Sequence, residues 1–202
     1  MKTAIILAAR REKESEIPYP LKAFAPDLCL LDRTIGILRD LHFSNILIVV
    51  GYKAEMFRKY EADDVTLIVN KDYEFTASMG SLALAKDYVK EDFLLIESDT
   101  FYERRLIERL AARTEGNCLS MTEESGSGDE CFMETKNGFV TKITKDRHRV
   151  CHFEGEMIGV SRITLDTFKM LVNAWEHASN PYLNYEYLLM DVTEPLDRPV
   201  LV

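Results

Sequence analysis

Thr3-Ala4-Ile5-Ile6-Leu7 is an unbroken apolar run that empties into the small pair Ala8-Ala9. A run without polar alternation suits a strand covered on both faces, as in a parallel sheet, and the small residues mark where it passes into a loop. Ile46-Leu47-Ile48-Val49-Val50, stopping at Gly51, has the same character, and so does Phe93-Leu94-Leu95-Ile96, leading into Glu97-Ser98-Asp99. Thr66 to Val69 reads as a further strand.

Between these runs lie helical stripes. Asp32 is expected to cap a helix carrying Ile35, Leu38 and Leu41, and Ser78 one carrying Leu82, Ala85 and Val89. Ala54 to Lys59 reads as a short helix, and Leu106, Ile107, Leu110 and Ala111 form a clear apolar face. Strands alternating with helices over the first 115 residues predict an α/β fold with a doubly wound, mainly parallel sheet, whose ligands collect at the strand C-termini.

The second half changes period. Asn117 to Met121, Cys131 to Thr135, Val140 to Thr144 and Met157 to Ser161 read as strands of an antiparallel ribbon or lid, with a turn at Lys136-Asn137-Gly138. Two helices follow, one with Leu165, Phe168, Leu171, Val172 and Trp175, the other around Tyr185 to Met190. Gly126-Ser127-Gly128-Asp129 reads as a mobile polar loop.

Composition limits the function classes. The chain has 202 residues, 47% of them hydrophobic, enough for one sizeable core. A net charge of −9 disfavours nucleic acid and anionic membrane partners and favours a small ligand in a locally positive pocket. The short apolar start runs into Arg10-Arg11-Glu12-Lys13-Glu14, unlike a signal peptide, and no run approaches a membrane span. Cys29, Cys118, Cys131 and Cys151 are widely spaced, which fits a reduced, cytoplasmic setting. Cys131, His148, Cys151 and His152 have no zinc-ligand spacing.

Two places could carry chemistry. Asp99, just past a buried strand, could hold Mg²⁺ against a nucleoside triphosphate, with Glu97 as an outer partner, or could cap the next helix. The loop from Arg10 to Lys22 has no helical or strand period, and Pro18 and Pro20 exclude both, so an ordered loop over the sheet edge is expected. Its cations Arg10, Arg11, Lys13 and Lys22 could neutralise phosphate oxygens, or could be a solvated stretch of mixed charge.

Ile5-Ile6-Leu7-Ala8-Ala9 with the later Pro20-Leu21-Lys22 resembles the opening of the sugar-phosphate nucleotidyltransferase superfamily, although Arg10 stands where that family has its first loop glycine. Ile48-Val49-Val50-Gly51-Tyr52 and Asn70-Lys71-Asp72-Tyr73 are similar to its later signatures. Met79-Gly80-Ser81-Leu82 and Glu97-Ser98-Asp99 resemble the pyrimidine-reading and metal-binding segments of the phosphocholine and 2-aminoethylphosphonate cytidylyltransferases.

The resemblance implies a Rossmann-like, nucleotide-diphospho-sugar transferase fold with a small antiparallel lid. It also implies a Mg²⁺-dependent cytidylyltransferase that uses CTP to activate a small amine-bearing phosphonate or phosphate. Lys22, Asp99, Arg10 and Lys13 would act in catalysis, with Asp99 on the metal. Leu7, Ala8, Ala9, Gly80, Ser81 and Glu97 would line the nucleotide. For the acceptor, Glu123, Glu156, Tyr182, Tyr185 and Glu186 are the available carboxylates and rings, though Tyr182, Tyr185 and Leu189 are also spaced as one packed helical face. A sugar-1-phosphate nucleotidyltransferase and a catalytically silent regulatory module are the alternatives.

The expected organisation is one domain over 1–202, with 1–115 the nucleotide-binding core and 116–202 the acceptor-binding part. The family's second metal carboxylate lies in a Glu-Ile-Asp-like strand that this sequence does not reach, and Asp191 and Asp197 do not follow a buried strand. Either that ligand is absent or, as is expected, the sequence is a piece of a longer protein, with room for a fused enzyme domain and for an oligomer.

Overall fold

A computed structural model describes residues 1–11, 15–194 and 200–202. In chain order the strands are β1 (Thr3–Ala8), β2 (Ala23–Ala25), β3 (Leu28–Cys29), β4 (Asn45–Val50), β5 (Val65–Val69), β6 (Phe93–Glu97), β7 (Cys118–Thr122), β8 (Phe132–Lys136), β9 (Phe139–Thr144) and β10 (Gly155–Ile163). The helices are α1 (Leu30–Asp40), α2 (Ser78–Ala83), α3 (Arg104–Ala112), α4 (Leu165–Glu176) and α5 (Tyr185–Thr193). None of the described helices is long and apolar enough to cross a membrane.

Eight strands form one sheet in the order β5-β4-β1-β6-β10-β8-β9, with β7 also on β10. β5, β4, β1 and β6 are parallel, and β1 sits at the centre with Ala8 opposite Val50 and Leu7 opposite Glu97. The carboxyl ends of these strands therefore share one edge. Each face of the apolar strands has its own core: Ala4, Ile6 and Ile48 pack with α1 and α3, whereas Ile5, Leu47 and Val49 pack with α2, α4 and α5. This two-sided burial is why the strand sequences lack polar alternation.

The antiparallel half is continuous with the parallel half. β10 runs antiparallel beside β6, pairing Val160 with Ile96, and its first residues pair with β8. Residues 200–202 enter between β7 and β9, since Leu201 bridges both Cys118 and Phe139. One edge of the central sheet thus carries directly into the ribbon.

Four local expectations are corrected. The N-cap of α1 is Cys29, and Asp32 is its third helical residue, whose carboxylate accepts the Cys29 N–H at 3.1 Å. Ser78 does not cap α2, because its hydroxyl accepts the Tyr185 N–H at 3.0 Å and so ties α2 to α5. The helix also stops at Ala83, with tight turns carrying Ala85 and Val89 into the core. Within the loop, Pro20 belongs to a single 3₁₀ turn, Tyr19–Leu21, where a residue lacking an N–H costs nothing.

Candidate active site

The shared carboxyl edge gathers the charged residues. β6 delivers Glu97 opposite Leu7, the Ser98 N–H donates to the Leu7 carbonyl at 3.2 Å, and Asp99 follows in the mouth of the crevice. Arg10, leaving β1, brings its guanidinium to 3.9 Å from the Asp99 carboxylate and 4.0 Å from that of Asp129. Asp129 in turn takes the Lys145 ammonium at 2.6 Å. Two cations and two carboxylates therefore alternate across the opening.

Lys22 arrives from the other side of the long loop, its ammonium 5.2 Å from the Tyr19 ring centroid. Its segment is tied to the Asp99 loop by rings two residues further along in each: Phe24 and Phe101 meet edge to face at 5.5 Å, and the Arg33 guanidinium lies 4.5 Å over Phe101. Lys13 lies outside the described residues, as does Asp197.

Behind the mouth is a sheltered acidic cluster. Glu97 lies against Gly159 of β10 so closely that a Cβ there would come within 2.5–2.8 Å of the Glu97 side chain. α5 brings Tyr185 and Glu186 to the same place, Tyr185 with 0% and Glu186 with 7% of its surface exposed. Burial, then the Glu186 and Asp99 charges, push the Glu97 carboxyl up to about 7, with the Tyr185 hydroxyl and Lys145 pulling the other way. Glu186 is raised too, chiefly by burial, with Lys145 opposing. Tyr185 Oη and Ser161 Oγ are buried beside Glu97, where the Tyr185 hydroxyl is shared between the Glu97 carboxyl and Ser161.

The other sequence candidates are placed as follows. Ala8 and Ala9 are buried at the end of β1, and Leu7 is partly buried. Gly80 is inside α2, where a Cβ would come 2.6 Å from Thr76 Cβ, and Ser81 Oγ accepts from Asn70 Nδ2 at 3.0 Å. Asn70 also donates to Thr76, so the end of β5 and the start of α2 are fixed as one unit beside β1. Glu123 is in the exposed bend after β7, while the Glu156 carboxylate accepts the Ser125 N–H at 2.8 Å and anchors the glycine loop.

Two placements differ from expectation. α5 begins only at Tyr185, so Tyr182, 59% exposed, is outside its face. Tyr185 is entirely buried beneath Glu97 and presents no ring surface to a ligand.

Lys145, Gly159 and Ser161 were not expected in the site. Lys145 sits just past β9, and its approach to Asp129 depends on strand pairings of the ribbon that no local pattern encodes. For a hard cation the donor chemistry fits: the carboxylates of Asp99 and Glu97 are near enough for the charge of one to act on the other, and Mg²⁺ commonly takes one or two carboxylates, completing its shell with phosphate and water. Among the described residues no three acidic, thiol or imidazole groups form a complete cage.

No family model matches the chain. In sequence it is 30% identical over 127 residues to the CMP-5'-(3-aminopropyl)phosphonate synthase of Streptomyces rubellomurinus, a match covering 58% of this chain and 20% of that protein. It is 38% identical over 80 residues to the choline-phosphate cytidylyltransferase of Haemophilus influenzae, covering 38% of this chain and 33% of that one. The matches thus span a third or less of these relatives' lengths. Among solved structures, CTP:phosphocholine cytidylyltransferase from Streptococcus pneumoniae superposes with a TM-score of 0.75 at 20% identity, covering 100% of this chain and 89% of the other. The chain therefore has the nucleotidyltransferase fold, and its relatives in sequence are nucleotidyltransferases, a CMP-phosphonate synthase and a choline-phosphate cytidylyltransferase among them.

Proposed function

We propose that the chain is a CTP-dependent cytidylyltransferase that activates a small amine-bearing phosphonate or phosphate and releases pyrophosphate. The observation that carries this reading is the set of charges at the carboxyl edge of the sheet: Arg10 beside Asp99 and Lys145 beside Asp129, both suited to anionic oxygens, with Lys145 also near the sheltered carboxyls of Glu97 and Glu186. An acceptor anionic at one end and cationic at the other matches that polarity. The choice of CTP is supported by the two sequence relatives, both named for cytidylyl products or transfer.

In the proposed reaction an acceptor oxygen, already anionic, attacks the α-phosphorus of CTP. The new P–O bond forms as the bond to the β-phosphate oxygen breaks, and the electron pair leaves on pyrophosphate. No general base is required, so the protein's part is to position the reactants and neutralise charge. Arg10 and Lys22 would flank the triphosphate and Lys145 the acceptor's phosphoryl group, while Ala8, Ala9 and the α2 start would bound the nucleoside. Mg²⁺ held by Asp99, with Glu97 behind it, would supply further charge neutralisation at the triphosphate.

The test is Mg²⁺-dependent pyrophosphate release with CTP, UTP and dTTP, each against 2-aminoethylphosphonate, phosphocholine and glucose 1-phosphate. Release with CTP and an amine-bearing acceptor supports the reading. Preference for UTP or dTTP with the sugar phosphate would replace it with a sugar-1-phosphate nucleotidyltransferase, and no release under any pairing would leave a catalytically silent module.

A further inference from the structure

The loop that carries Arg10 at one end and Lys22 at the other contains no glycine, so its backbone has little freedom to wrap closely around a phosphate and its cationic side chains must do the work. Apart from the 3₁₀ turn at Tyr19–Leu21, no regular structure holds it. Its path must be fixed from outside, or the cost of ordering it falls on ligand binding.

The fastening comes from the three residues after β4. Gly51 lies so close to β1 that a Cβ there would come 2.7 Å from the Ala9 carbonyl oxygen. Tyr52 donates its N–H to that same carbonyl at 3.0 Å and its hydroxyl to the Ser15 carbonyl at 2.9 Å. Lys53 donates its ammonium to the Glu16 carbonyl at 2.6 Å. The Arg11 guanidinium lies 5.4 Å from the Tyr52 ring centroid and pairs with Glu74 at 3.4 Å.

A second observation marks this fastening as built. Lys53 has φ 48° and ψ 45°, a left-handed conformation that glycine takes freely and a residue with a Cβ takes only at a cost. A glycine at 53 would relieve that strain but would lose the ammonium that reaches Glu16. Beyond Glu16 the chain has little slack. Pro18 and Pro20 are buried with their φ angles fixed, and the Leu21 and Lys22 N–H groups donate to the Pro18 and Tyr19 carbonyls at 2.9 and 3.0 Å. The position of Ser15 and Glu16 is thus passed on to Lys22 through a stiff turn.

Resting on the cytidylyltransferase reading, we propose that Tyr52 is a positioning residue: through the Ser15 carbonyl, and with Lys53 on Glu16 beside it, it sets the path of the loop that brings Lys22 to the triphosphate.

The test is calorimetric titration of CTP with Mg²⁺ into the wild-type chain, Tyr52→Phe, Lys22→Gln and the double variant. Losing one hydrogen bond should weaken the Kd of Tyr52→Phe about two- to tenfold. Added to Lys22→Gln, the same change should cause no further loss, because the group it positions is already gone. Unchanged affinity in a folded Tyr52→Phe overturns the proposal, as does a full additional loss in the double variant, since either makes the fastening merely structural. Both leave the cytidylyltransferase reading standing. If Tyr52→Phe melts early, Lys53→Met decides in its place, with the same weakening expected and unchanged affinity again overturning the proposal. A wild-type chain that binds neither CTP, UTP nor dTTP overturns both.

Discussion

Glu97→Gln tests whether the acidic cluster is assembled as described. The Glu97 carboxyl sits near 7 in the folded chain against an ordinary value of 4.5, raised by burial, Glu186 and Asp99. A carboxyl raised on folding favours the native state while protonated, so its contribution is fully present below pH 4.5 and is lost as the pH climbs through 7. At about 1.4 kcal/mol per pH unit of difference, the loss reaches about 3 kcal/mol by pH 8. A glutamine holds no proton to lose. Urea denaturation with EDTA and without nucleotide should therefore give similar stabilities for the two proteins at pH 5. At pH 8 the variant should be more stable by about 2–4 kcal/mol. Groups remote from Glu97 titrate alike in both proteins and cancel in the difference, while Glu186, relieved of the Glu97 charge, adds to the variant's gain at pH 8. Parallel stability curves from pH 5 to 8 would show that Glu97 is not held against Glu186 and Asp99.

Asp99→Asn should lower kcat/KM about 100- to 1000-fold with the melting temperature nearly unchanged, because the side chain is half exposed and its 3.9 Å pairing with Arg10 contributes little to folding; unimpaired turnover contradicts its assigned place. Gly159→Ala forces a methyl into the Glu97 side chain and should cost about 1–3 kcal/mol in thermal unfolding together with most of the activity, and full activity would mean the close approach is unimportant. Asp129→Asn removes the carboxylate that occupies Lys145 and approaches Arg10, so KM for CTP or acceptor should fall several-fold at low salt. A raised KM would instead make Asp129 the group that aims those cations.

What could be read from the chain is unevenly distributed, for physical reasons. The apolar runs of β1, β4 and β6 announce a parallel sheet because burial on both faces leaves no alternation to confuse with a helix, and the same logic places Asp99 at the carboxyl edge. Helix ends were harder. Ser78 has the chemistry of a cap, but a contact 107 residues away, to the Tyr185 N–H, claims its hydroxyl. Tyr185 carries a helical spacing compatible with either a ligand face or a core face, and only the depth of α5 against β6 and β10 decides for the core. Lys145 and Gly159 gave no local signal, since one is placed by the pairing of the ribbon and the other is small because a residue in a neighbouring strand needs the space.

The measurement bearing most directly on the account is phosphorus NMR of the chain incubated with CTP, Mg²⁺ and 2-aminoethylphosphonate. The account expects the three CTP resonances to give way to pyrophosphate and to a coupled pair, one phosphonate and one phosphate, from a CMP-phosphonate. CTP that persists unchanged, or decays to CMP or CDP without the coupled pair, contradicts it.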